Sequence, residues 1–349
     1  MVDSVAAMLG GSLPGWARGV RRPLTVAAFL SVAALVVAVV GVAVDRTVIT
    51  GAPAWLKPAK FGVSIAFYCA TLAWMLSHVH GHGALVGAIA WFTGGCLVAE
   101  LVLIDVQVLR GTTSHFNLAT PFDATVVAVM AALVAAVFAA TVVAAWLLVR
   151  QPGLPSWLSY GIGGGLLVTL LGMAEAALMV VNTNGHPGGG HTDGGPDGGP
   201  GLPLLGWSTQ HGDLRVAHFV GLHALQLIPL LAWAVHTHWP NPADGTVKRL
   251  IGLGAVAYAG LVVLLTWQAE RGQPLLRPDR ATGTVLLAGA VTVAAVGLWA
   301  AQGREPLPLP PAAPPALPAA GPSRGHSGDR NGGAAALVRA SLGHSRGDV

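Results

Sequence analysis

Eight stretches of this chain, roughly 24–44, 60–79, 83–109, 124–149, 157–181, 214–235, 248–270 and 282–301, are apolar over the length of a membrane crossing. About 20 residues of helix cover the ~30 Å of hydrocarbon in a bilayer. Lipid offers no water to an unpaired N–H or C=O, so each stretch is expected to be an α-helix. Composition agrees, with 53% hydrophobic and 10% charged residues, where a soluble domain carries about 25% charge. The predicted fold class is all-α, a polytopic membrane bundle of about eight transmembrane helices with the lipid bilayer as its partner. The first stretch begins after residue 23 and is followed by seven more without a small-residue cleavage site, which reads as a retained helix and not a signal peptide. Cys69 and Cys96 lie inside helices without C-x-x-C spacing and read as small core residues.

Two of the stretches match without a gap. Lys57-Pro58-Ala59-Lys60-Phe61, running to His78-Val79-His80, aligns with Arg215-Val216-Ala217-His218-Phe219, running to His236-Thr237-His238, at an offset of 158. Ala66/Ala224 and Leu72/Leu230 keep the register, and Gln107-x-x-Arg110-Gly111 returns as Gln268-x-x-Arg271-Gly272 at an offset of 161. Near-equal offsets on successive helices predict a duplication, helices 1 to 4 against helices 5 to 8. An even-numbered unit re-enters the membrane in the same direction, so the two repeats are expected in parallel orientation about an axis along the membrane normal.

The chain divides accordingly into a cytoplasmic N-terminal segment 1–23, a first repeat 24–149, a second repeat 150–303 and a Pro/Ala- then Gly/Arg-rich tail 304–349 that reads as disordered. Within the second repeat, residues 183–206 hold His186, His191, Asp193 and Asp197 among glycines and have the composition of a flexible spacer. Arg18, Arg21 and Arg22 before the first helix place the N-terminus on the cytoplasmic side of the cell membrane. Eight crossings return the C-terminus to that side.

The polar motifs gather at one end of the expected bundle: Trp55 to Phe61, Arg110 to Asn117, His211 to Arg215 and Arg271 to Pro274. Helical spacing puts Glu100 and Gln107 on one face, with Arg110 roughly 60° further round. Glu175 and Asn182 share a face in the same way, Arg215, His218, Gln226 and His223 fall within roughly 140° on helix 6, and Gln268 and Arg271 are neighbours on helix 7. An ionised side chain at mid-membrane costs on the order of 3 kcal/mol on insertion scales, so these groups must turn toward one another or toward water. The predicted result is a basic polar pocket in one half of the bilayer, entered from outside. Arg110, Arg215 and Arg271, with Lys60 as the repeat partner of His218, suit a ligand carrying carboxylate or phosphate, with Asn117 at the rim and Glu100 and Glu175 deeper, where they are candidates to carry a proton. The competing reading makes Glu100 a structural ion-pair partner of Arg110 or Arg215 and lets Lys57, Lys60, Arg277 and Arg280 snorkel to head groups.

Lys-Pro-x-Lys-Phe, Arg-Gly-x-x-Ser-His-Phe-Asn and Gly-Asp-Leu-Arg-x-x-His-Phe-x-Gly-Leu-His-Ala-Leu-Gln resemble the motifs of a family of bacterial multi-spanning membrane proteins of unassigned function. The resemblance spans most of the membrane portion and implies no activity. A carrier or binding protein for a small anionic molecule is the first expectation. No nucleotide-binding motif is present, so transport would follow a gradient, and no nucleic acid partner is expected. An enzyme is the alternative. His218 and His223 are the histidines well inside a helix and are the candidate haem ligands, with His115 descending from its loop; His115, His211 and His218 with Asp213 are the candidate set for a divalent metal. The four-plus-four plan is shared with haem A synthases, but helices 2, 4 and 8 carry no embedded His here. The adjacent Ser114 and His115 are not expected to hydrogen-bond as a nucleophile and its base. His78/His80 and His236/His238 at the opposite end form a second candidate metal site, and an assembly partner of a membrane complex is the remaining class, for which the polar cluster would be internally paired.

Overall fold

The computed structural model describes residues 15–182, 188–238 and 243–302. The tail from residue 304, His186 and the first 14 residues lie outside the described residues, as do the side chains of Arg18 and Arg21. Eight long helices are present: α1 (Gly15–Val44), α2 (Leu56–Leu76), α3 (Gly83–Leu109), α4 (Pro121–Val149), α5 (Ser156–Val181), α6 (Leu214–His238), α7 (Asp244–Glu270) and α8 (Arg280–Ala301). All eight are long and apolar enough to cross a membrane, which makes this a multi-pass helical membrane protein. The helix α2 begins earlier than hydropathy alone suggests, because Leu56-Lys57-Pro58-Ala59 already have helical backbone, whereas α6 begins where expected, at Leu214. Two-stranded hairpins pair β1 (Val48–Ile49) with β2 (Ala52–Pro53) and β3 (Thr192–Asp193) with β4 (Gly212–Asp213), antiparallel in both cases.

The helix ends follow from local chemistry. At the α3 terminus Gly111 takes φ 71°, Gly111 N–H bonds Val108 O and Thr112 N–H bonds Gln107 O. At the α7 terminus Gly272 takes φ 68°, Gly272 N–H bonds Ala269 O and Gln273 N–H bonds Gln268 O. Both are Schellman stops, in which a left-handed residue lets two late carbonyls find donors, and they explain why Arg-Gly recurs at corresponding places. Thr120 caps α4, its hydroxyl oxygen accepting from Asp123 N–H at 3.1 Å, and Pro121 follows it at the first helical position. Asp279 caps α8 by accepting from Thr282 N–H at 2.8 Å.

Packing partners recur in the two halves. α1 runs along α2 and α3, and α3 carries α4; α5 runs along α6 and α7, and α7 carries α8. In each half the most extensive contact joins its first and second helices. The α5/α6 contact is the closest. A Cβ on Gly172 would fall 2.6 Å from Gly221 Cα, and one on Gly161 would fall 2.7 Å from Ala232 Cβ, so the two backbones approach as small residues allow in lipid. Those pairs fix an antiparallel register that sets Glu175 opposite His218. The halves meet where α4 lies against α5 and where Gln226 Nε2 donates to Thr71 Oγ1 at 3.2 Å. Cys69 and Cys96 are buried free thiols. Gly172→Val is expected to destabilise the protein by about 1–3 kcal/mol through overpacking, read as a lower melting temperature in detergent. Gly95→Val, with nothing within 4 Å of its new Cβ, should leave melting unchanged.

Candidate functional site

The connections α1–α2, α3–α4, α5–α6 and α7–α8 share one end of the bundle, and the polar side chains there separate into two kinds. The arginines are already neutralised. Arg110 sits 3.2 Å from Asp123, which also accepts from Gln107 Nε2 at 2.9 Å, while Arg110 Nε donates to Gln107 Oε1. Arg271 meets Asp279 at 2.5 Å and reaches Thr282 Oγ1 at 3.2 Å. Arg215 forks onto Asp213 at 2.9 and 2.6 Å. Glu100 is the partner of none of them, contrary to the ion-pair expectation. In both halves the arginine of Gln-x-x-Arg-Gly grips an aspartate at the start of the next helix. Gln268 completes the parallel by donating to the carbonyls of Pro274 and Leu275, and Asn117 and Asn182 bond within their own connections. Hydrogen bonds from Thr282 and Arg271 pull the Asp279 carboxyl down to about 2.

The second kind has charge or hydrogen-bonding capacity left over. Lys57 Nζ lies 3.1 Å from His115 Nδ1, and Ser114 Oγ lies 3.0 Å from the same nitrogen, so the adjacent pair does meet. An ammonium only donates. Nδ1 therefore accepts, and the ring proton is assigned to Nε2, which faces Glu100 Oε1 at 3.8 Å, beyond hydrogen-bond reach. Glu100 is 3% exposed and Glu175 6% exposed, and no carboxyl oxygen of either accepts a hydrogen bond among the described residues. With 1.5 Å of rise per residue, Glu100 lies about 13 Å and Glu175 about 9 Å in from the polar ends of their helices. His218 donates from Nδ1 to Gly172 O at 2.7 Å, which leaves Nε2 as an acceptor. Lys60 donates to Leu205 O at 3.0 Å. Neither Lys57 nor Lys60 has a carboxylate within ion-pair distance among the described residues; Arg215 acts electrostatically against both, opposed at longer range by Glu100 and Asp197 at Lys57 and by Asp213 at Lys60.

The α5–α6 connection, a spacer by composition, is built into this end. Asp197 accepts from His191 N, Thr192 N and His191 Nδ1, the last at 2.8 Å. Burial raises the Asp197 carboxyl, but the His191 hydrogen bond and charge and the two backbone donors outweigh it and hold it well below the usual range. His191 stacks edge-on to Phe116 at 5.0 Å. Burial lowers both imidazoles, His115 far below the ordinary 6.5 with help from Lys57, His191 and His218, and His191 despite its carboxylate partner. Lys57, His191 and Asp197 are thus members of the site that sequence reasoning passed over. The repeat match of Lys57 with Arg215 was the available signal for the first, and the His-x5-Asp spacing for the others.

The remaining predicted positions scatter. His223 is exposed on the outer surface of α6, His211 packs over Gly195, and Gln226 lies at the α2/α6 contact. Among the described residues no three His, Cys, Asp or Glu side chains group closely enough to hold a metal ion. At the opposite end His236 stacks on Trp157 and His238 packs edge-on to Trp233. Comparison with protein-family models, curated proteins and solved structures finds no match to this chain.

Both partly buried imidazoles titrate below 6.5 in the fold, so between their folded values and 6.5 the unfolded chain binds more protons. Stability is full above pH 6.5 and falls as the pH drops below it. A melting series in detergent from pH 8 to 5 should show this loss, and His115→Gln should reduce it.

Proposed function

We propose that this integral membrane protein is a carrier or binding protein for a small anionic molecule, taken up at the polar end where the two halves meet. The observation that carries this reading is the pair Lys57 and Lys60: two partly buried ammonium groups beside Arg215 with no carboxylate of their own. A fixed cation in a low-dielectric setting is under-compensated until a negative group arrives. Carboxylate or phosphate supplies that group with charge-assisted hydrogen bonds. The seat of the ligand thereby moves from Arg110, Arg215 and Arg271, whose charge is spent on Asp123, Asp213 and Asp279, to the two lysines, with His115 and His218 at the edge.

Glu100 and Glu175 fit the same reading as the acidic side of the site. A buried carboxyl without a donor is stable only when it holds a proton or meets a ligand or water, and a proton on Glu100 would keep a negative charge away from an incoming anion. The recurrent helix packing and the twin Arg–Asp clasps support two parallel four-helix repeats, with the seat at their junction.

Lys57→Met and Lys60→Met should each weaken binding of the cognate anion at least tenfold, the loss expected when a charged hydrogen bond of about 1.5–3 kcal/mol is removed. Arg110→Met should instead lower the melting temperature, because it strands Asp123, with little effect on affinity in the protein that remains folded. The assay is calorimetric titration in nanodiscs with a panel of small carboxylates and phosphates. A ligand that binds with unchanged affinity to both lysine variants would sink the assignment.

A further inference from the structure

Residues 201–208 of the α5–α6 connection form a short finger. Gly201 bridges Ser208, Leu202 N–H bonds Trp207 O at 2.8 Å and Gly206 N–H bonds Leu202 O at 2.8 Å, so the finger's two ends sit side by side. Its tip is costly to hold. Leu204 has φ 63°, a left-handed conformation unfavourable for a residue with a branched side chain. Leu204 is 76% exposed and Leu205 42% exposed, so apolar packing does little to anchor the tip. What reaches it from the bundle is charge: Lys60 Nζ donates to Leu205 O at 3.0 Å and Arg215 Nη2 donates to Gly206 O at 2.7 Å. Those two cations come from equivalent stretches of the two halves, Lys60 on α2 and Arg215 on α6.

We infer that this finger is a plug: the carbonyl of Leu205 occupies the place of a ligand's anionic oxygen on Lys60, and an anion enters by displacing it, which also frees the Gly206 carbonyl from Arg215, itself held by Asp213 throughout. The inference rests on the anion-binding reading above and adds its regulation. The direction of exchange follows from bond strength. A carbonyl is a neutral acceptor, whereas a carboxylate or phosphate oxygen brings a full charge and bonds a cation roughly twice as strongly. Relief of the Leu204 backbone works in the same direction. Gly201 and Ser208, being bridge partners, set a span that a two-residue turn closes, so the finger can be removed without pulling the connection apart.

The test follows amide hydrogen exchange of residues 202–207 and thermal stability of the full chain in phosphatidylcholine nanodiscs, with and without inorganic phosphate or acetate. Anion should stabilise the protein and speed exchange in the finger about tenfold. Lys60→Met should exchange fast from the start and lose the response. Replacing residues 202–207 by Gly-Ser should raise the apparent affinity for the anion by about tenfold, as expected when a seat closed roughly nine-tenths of the time is left open. Stabilisation by anion with finger exchange unchanged would overturn the plug and leave the anion site standing. No response to either anion in both the wild type and the finger-less variant would overturn the anion site and the plug together. Release of the finger in phosphatidylglycerol nanodiscs but not by free anion would keep the plug and replace the soluble ligand by a lipid head-group phosphate.

Discussion

A charge carried into hydrocarbon has to meet its opposite, and at the polar end of this bundle each clasping arginine meets an aspartate. Arg110 reaches Asp123 at the start of α4 and Arg271 reaches Asp279 at the cap of α8. Each clasp joins the end of one helix to the beginning of the next. It works because the intervening chain stops at a glycine in the left-handed conformation, which turns the arginine back over the connection. The same requirement accounts for the fork of Arg215 on Asp213 at the entrance to α6. With these pairs made, each connection at the polar end is fastened to the helix that follows it.

Against that frame the unpaired groups stand out. Lys57, Lys60, Glu100 and Glu175 are not surplus surface charge: the two acids are almost wholly buried, and Lys57 leans on His115 in place of a carboxylate. A structural role would have paired lysine with glutamate directly, and the described residues show no such pair. Opposite charges stand at one end of the bundle but out of contact, and this is the arrangement on which the anion-binding proposal rests. The α5–α6 connection covers that place and is fastened by the same cations.

Much of this was legible from residues alone. Eight apolar stretches announced eight helices, since a backbone in lipid has few alternatives, and the match of Lys57–Phe61 with Arg215–Phe219 pointed to the end where polar groups collect. Gln-x-x-Arg-Gly was visible as a repeat, but the aspartate that each arginine pairs with was not. Read as ligand-binding arginines, Arg110 and Arg271 turn out to be held by aspartates 13 and 8 residues further along, a separation at which no helical periodicity speaks. The Gly-rich stretch has the composition of a spacer, yet His191 packs on Phe116 and Lys60 and Arg215 donate to the carbonyls of Leu205 and Gly206, contacts that composition does not announce.

Sequence by itself determined the medium, the number and class of the crossings, the points where α3 and α7 stop, and the set of titratable residues that had to be reconciled with lipid. These are local matters, decided by transfer free energy and by backbone geometry within a few residues. Tertiary structure alone decided which charge found which partner. That Lys60 is left with a carbonyl from the α5–α6 connection and that Gln226 meets Thr71 depend on the register of helices against one another. That register is set where Gly172 and Gly221 let α5 and α6 touch, because side-chain volume across a contact fixes which residues share a level. Electrostatics acting over a few ångströms then decides which charges at that level are paired and which are not.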